Sequence, residues 1–81
     1  MRARALITLR EGVLDPQGKA VERSLHSLGF AEAADVRVGK VIELDLGPGV
    51  TAVAARARVE EMCRKLLANT VIEDFRVELQ E

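Results

Sequence analysis

Apolar residues recur along this chain with two different periods. From Arg2 to Arg10 they alternate, with Ala3, Ala5, Ile7 and Leu9 on one side and Arg2, Arg4, Leu6, Thr8 and Arg10 on the other. Period two over nine residues predicts a half-buried strand. From about Gln17 to Leu28 the spacing becomes helical: Val21, Leu25 and Leu28 form a stripe that Ala20 and Ser24 fill in. Asp15-Pro16 marks the start, because the carboxylate can accept an orphan amide proton and the proline sits where its missing N–H is harmless. Gly29 supplies the left-handed residue that closes the helix, with Phe30 placed to fold back on Leu25.

The next segment, Asp35 to Leu46, admits two readings. Gly39-Lys40 could be the two-residue turn of a hairpin, but then Ile42 and Leu44 would share a face with Arg37. As one long strand, Val36, Val38, Ile42, Leu44 and Leu46 all fall on one face, interrupted only by Lys40. That reading is preferred, with a bend or bulge at Gly39. Gly47-Pro48-Gly49 ends the strand. A second helix is expected from about Thr51 to Ala68, with Ala52, Ala55, Val59, Met62, Cys63, Leu66 and Leu67 as its apolar stripe and Glu60–Arg64 and Glu61–Lys65 paired outside. Val71 to Leu79 reads as a last strand, with Phe75, Val77 and Leu79 on one side. The expected fold is a single α+β domain over residues 1–81: a two-layer β-α-β-α-β arrangement of three long strands with two helices on one face, the second strand bent at Gly39.

Composition adds a constraint. Of 81 residues 48% are apolar, but 11 are alanine, and a chain this short buries only about 60% of the surface it exposes unfolded. The single cysteine, Cys63, allows no internal disulfide. Stability must therefore draw on other chains, through oligomerisation or a partner. Leu6, on the outer side of an otherwise polar strand, is the candidate homo-oligomer residue.

Charge then removes partner classes. Twelve Lys/Arg against 13 Asp/Glu give −1, evenly interspersed, and Phe30 and Phe75 are the only aromatics. A nucleic-acid binder needs a basic face and, for single strands, stacking platforms, so nucleic acid is not an expected partner. No apolar run approaches the roughly 18 residues of a bilayer span, and the chain is expected to be cytoplasmic.

Catalytic candidates are few. His26, the only histidine, stands about 100° from Leu25 on the helix and is expected at the surface with no orienting partner. Cys63 lies within an apolar stripe, where a thiol acts as a small hydrophobe. One histidine and one cysteine cannot make a tetrahedral soft-metal site. Gly47-Pro48-Gly49 lacks the spacing of a phosphate loop. Arg37 and Lys40, beside a flexible point, could hold an anion or a partner carboxylate, or simply discourage strand pairing. The residues alone describe a non-catalytic domain.

Several stretches resemble one family, PurS, the small subunit of phosphoribosylformylglycinamidine synthase. They are Gly12-Val13-Leu14-Asp15-Pro16-Gln17-Gly18 with Ala20-Val21, Leu28-Gly29-Phe30, Asp35-Val36-Arg37-Val38-Gly39-Lys40, Glu43-Leu44, and Met62 through Asp74 with its Leu-Leu-Ala-Asn-Thr-Val-Ile-Glu-Asp string. Gly47 to Ala57 looks least like the pattern. The resemblance implies a chain that is not catalytic alone but serves an ATP-dependent, glutamine-hydrolysing ligase of purine biosynthesis. It implies partners of two kinds, a PurQ-type glutaminase and a PurL-type synthetase. It also implies a homodimer or dimer of dimers and no cofactor on this chain, ATP and magnesium being used by the large subunit. Two contact regions are expected: the loop and helix start with Val13, Leu14, Asp15 and Gln17, and the junction Asn69, Thr70, Glu73 and Asp74, with Arg37 and Lys40 nearby. Val13 and Leu14 could equally be core beneath the loop. The alternative is a small dimeric α+β domain that senses a metabolite; an acylphosphatase-like enzyme ranks last, because Asn69, the only asparagine, ends a helix.

Overall fold

The alternation at the N-terminus forms strand β1, Arg2–Leu9. In the computed structural model, which describes residues 1–80, β1 is the middle strand of a three-stranded antiparallel sheet. Its flanks are β2, Lys40–Asp45, and β3, Glu73–Gln80. Ala5 stands opposite Ile42 on one side and Val77 on the other. Between the strands lie helix α1, Pro16–Ser27, and helix α2, Ala52–Met62, which runs on into a π-helical turn, Cys63–Leu67.

The odd residues of β1 supply the core. Ala3, Ala5 and Ile7 are buried together with Val77 of β3, Val59 of α2, Cys63 and Ala68, and Ile42, Leu44, Leu46, Leu67, Phe75 and Leu79 pack around them. Small alanines in the middle strand let α2 lie close, with Ala55 and Val59 fully buried against the sheet. The opposite face, built from the even residues of β1, is polar. There Arg2 and Arg4 both pair with Glu43, and Leu6 is half-buried between Val41 and Arg76.

Three expectations need correction. The expected second strand enters the sheet only at Lys40: β1 has ended at Leu9, so Asp35–Gly39 has no strand to pair with. The expected pair of helices on one face is a single helix, α2. No residue of α1 joins the core; α1 runs alongside residues 33–38 instead, and the two form an arm. The molecule is therefore 50 Å long and 14 Å thick, with a radius of gyration of 15.9 Å, against about 12 Å for a compact chain of this length. Finally, Leu66, expected in the stripe of the second helix, is 82% exposed. The Ala68 amide bonds to Cys63 O, five residues back, and this wider turn brings Leu67 rather than Leu66 onto the sheet side.

Candidate interaction site

The arm is held at its root by Asp15. Its carboxylate caps α1 by accepting the Gly18 amide at 2.8 Å, and its other oxygen accepts the Val38 amide at 2.8 Å. These two amides, with the nearby Arg37 guanidinium, hold the Asp15 carboxyl below the usual carboxylate range. Asp15 is itself buried, so this expected contact residue has no surface to offer and acts as an internal fastener. Further out, Glu22 accepts the Val36 amide at 3.2 Å, and His26 donates from Nε2 to Ala33 O at 2.6 Å. His26, exposed as expected, thus ties the arm together. At the tip, Gly29 takes φ 99° and the Phe30 amide returns to Leu25 O at 2.9 Å, the Schellman closure that the sequence predicts.

The arm carries unspent apolar surface. Leu14 and Leu28 are each more than 70% exposed, Phe30 is half-exposed and Val21 is open to solvent, whereas Val13 is half-buried at the root. Gln17 is exposed on the first turn. A monomer rarely leaves a line of this kind uncovered.

The second expected region assembles at the root end of the sheet, around a residue that the sequence reading passed over. Arg10 donates to Thr70 O and lies 3.6 Å from the Asp74 carboxylate, while Arg37 donates to Arg10 O at 3.1 Å. Arg37, Thr70 and Asp74 are thereby brought together through Arg10. Asn69 and Glu73 organise the turn itself: the Asn69 amide donates to Glu73 Oε1 at 2.7 Å, and Asn69 Oδ1 accepts the Val71 amide. Lys40 stands at the same end of the sheet, opposite Ile7 and one strand away from Asp74. The only advance signal for Arg10 was its place as the last polar residue of the alternation. Next to this turn Val71, like Leu66, is more than 80% exposed.

Cys63 is fully buried, and burial pushes its thiol up from the ordinary value, which disfavours the thiolate. Among the described residues no three His, Cys, Asp or Glu side chains group as a metal would require, and no helix is long and apolar enough to cross a membrane. The site that remains is a set of surfaces: an apolar arm, a charged root and a polar sheet face.

Comparison with known proteins decides which family carries such surfaces. A family model described as PurS, phosphoribosylformylglycinamidine (FGAM) synthase, matches residues 2–81. The chain belongs to the PurS family. It is 48% identical to the PurS subunit of phosphoribosylformylglycinamidine synthase from Bacillus subtilis over 80 residues, 99% of this chain and 93% of the relative. The solved structure of that B. subtilis protein superposes with a TM-score of 0.83 over 99% of this chain and 98% of its own. PurS from Methanocaldococcus jannaschii, described as one of the subunits of formylglycinamide ribonucleotide amidotransferase in the purine biosynthetic pathway, superposes at 0.87 with 36% identity, covering 99% and 95% of the two chains. A chain in the structure of PurLQS from Thermotoga maritima matches at 0.80 with 29% identity over 95% and 94%. The three strands and two helices expected from the sequence, their strands antiparallel in the structure, are thus the fold of this family, and the resemblance seen in its motifs extends over residues 2–81.

Proposed function

We propose that this chain is the non-catalytic small subunit of the FGAM synthase complex of purine biosynthesis. In this reading it holds a PurQ-type glutaminase against a PurL-type ATP-dependent synthetase in the cytoplasm and assists the passage of ammonia between them. The observation that carries the reading is the extent of the likeness, since the family model takes in residues 2–81. The surfaces described above support it. The exposed Leu14 and Gln17 of the arm, with Val13 behind them, and the root with Arg37, Lys40, Asn69, Thr70, Glu73 and Asp74 offer two separate contact regions on one elongated body.

The need for a bridge follows from the chemistry. Ammonia released into neutral water is mostly protonated, and ammonium is not a nucleophile. A sealed path between two sites keeps the reactive base, as excluding water from a site does generally. The chain brings no cofactor to this task; ATP and magnesium belong to the synthetase subunit. It acts as a dimer or dimer of dimers, which covers the apolar arm.

Reconstitution tests the proposal. The three subunits are combined with ATP, magnesium, formylglycinamide ribonucleotide and either glutamine or ammonium as nitrogen source. Glutamine-dependent turnover should require this chain, and ammonium-dependent turnover should need it far less. Full glutamine-dependent turnover without it would reject the proposal.

A further inference from the structure

Where β1 leaves the sheet, the segment returning from the arm parts from it and a cleft opens between the two. The segment touches β1 at Gly39, where an added Cβ would sit 2.6 Å from Ile7 O. Upstream of that contact the Val38 and Val36 amides turn to Asp15 and Glu22 instead. On the other side β1 ends at Leu9 and the chain bends away. The Val13 amide donates to Arg10 O at 3.1 Å and Gly12 takes φ 87°, the geometry of a type II turn. The space left between them is about 550 Å³, lined by Thr8, Leu9, Glu11, Gly12, Asp35 and Arg37, a size that suits a small molecule.

The lining carries both signs of charge, and they do not neutralise one another. Among the described residues Arg37, Glu11 and Asp35 take part in no ion pair. The neighbouring Arg10 is turned to Asp74, and the Asp15 carboxylate near Arg37 has both oxygens taken by the Gly18 and Val38 amides. Arg37 uses one N–H on Arg10 O at 3.1 Å, which fixes the guanidinium and leaves its other donors open. The Glu11 and Gly12 amides donate to no backbone carbonyl among the described residues. Asp35 holds φ 53°, the only positive value outside glycine among them, and strained positions of this kind concentrate at binding sites.

These charges select a class of ligand. A simple anion that pairs with Arg37 meets Glu11 and Asp35, and a simple cation that pairs with those two meets Arg37. A molecule with a carboxylate and an ammonium group on one carbon satisfies both sides. The guanidinium takes the carboxylate in a forked pair, and the two acidic side chains take the ammonium. We propose that this cleft binds a free α-amino acid. The site is formed by this chain alone, so it is tested without the other subunits. Its failure leaves the reading of the chain as a small subunit untouched, and the failure of that reading leaves the site to be tested in the same way.

The test titrates the isotope-labelled full chain with L-glutamine, L-glutamate and L-serine in turn and follows the amide NMR shifts. The cleft is open to solvent, where a single ion pair is weak, so Kd for the best of the three is expected at roughly 0.1–1 mM. The shifts should gather at residues 8–12 and 35–37, while the amides of Val59 and Cys63 in the core stay still. N-acetyl-L-glutamine, which lacks the ammonium, and L-glutamine amide, which lacks the carboxylate, should each bind about tenfold more weakly than L-glutamine, or not at all. Arg37→Gln should raise Kd roughly tenfold, and so should the double variant Glu11→Gln with Asp35→Asn. Circular dichroism checks the fold of both. Should Arg37→Gln lose structure with its bond to Arg10 O, the double variant decides, because asparagine tolerates the left-handed backbone of Asp35. No saturable shift from any of the three amino acids, shifts centred elsewhere, or analogues and variants that bind as tightly as the originals would overturn the proposal.

Discussion

Asp15 and Val38, 23 residues apart, are joined by a 2.8 Å hydrogen bond from the Val38 amide to the Asp15 carboxylate. The other oxygen of the same side chain caps α1 at Gly18. One carboxylate thus sets both the start of the helix and the course of the chain returning to the sheet. The arm that distinguishes this molecule from a compact two-layer domain is anchored at this point.

The anchor makes stability depend on acid in a defined direction. The Asp15 carboxyl titrates below its ordinary value because the Val38 and Gly18 amides bond its charged form. A depressed carboxylate contributes stability that is fully present above its unfolded pKa of about 3.9 and is lost as pH falls through the lower folded value. Asp15→Asn should therefore lower Tm by several degrees at neutral pH, with a constant gap to the parent chain down to about pH 5. The gap should narrow below about pH 4, where the parent loses the same contribution. A gap that is unchanged in acid would show that Asp15 does not hold the arm through its charge.

The π-helical turn leads to a second expectation. Leu66→Asp places a charge on a side chain that is 82% exposed, so unfolding free energy should change by no more than about 0.5 kcal/mol. Ile7→Ala, in the fully buried middle of β1, should cost about 2–5 kcal/mol. Urea unfolding of the two variants distinguishes them, and a large loss from Leu66→Asp would put that residue back on the sheet side.

Much of this fold was legible because its signals are local. The alternation of β1 survives intact, since every second residue faces α2, and α1 starts and stops where Asp15-Pro16 and Gly29 say it should. What was not legible depends on contacts distant in sequence. Periodicity shows that Val21, Leu25 and Leu28 share a face, but not that the sheet is out of their reach. Helical spacing puts Leu66 in line with Cys63 until one wide turn rotates it away. Asp15 reads locally as a cap and an exposed loop residue; only the return of Val38 buries it. Arg10 and Arg56 look like ordinary surface cations, and their roles appear only once Thr70, Asp74 and Val77 come to them.

Arg56 can be tested as the guard of the β3 edge. Arg56→Ala removes the donor to Val77 O and should cost about 1 kcal/mol in urea unfolding. It should also raise light scattering as the protein is concentrated, because the edge is then open to unwanted strand pairing. Arg58→Ala, which removes only an exposed pairing with Glu61, serves as the comparison and should change neither. Equal behaviour of the two variants would show that the Val77 carbonyl needs no cover.

The sharpest separation of local propensity from tertiary structure lies at Gly18. Alanine in place of glycine inside a helix ordinarily stabilises by about 1 kcal/mol, and Gly18 lies in the first turn of α1. Here an added Cβ would sit 2.2 Å from Val36 O and 2.9 Å from Asp15 Oδ2, so the returning segment would have to move away from the helix. Because the obstacle is backbone held by Asp15 and Glu22, it cannot yield as a flexible side chain would. Gly18→Ala should therefore reverse the usual sign and destabilise by about 1–3 kcal/mol. Amide exchange should rise at Val36 and Val38, whose bonds to Glu22 and Asp15 would be strained, while the β1 amides stay protected. A variant more stable than the parent would mean that α1 and residues 33–38 are not held together as a unit, and the arm would have to be redrawn as two independent segments.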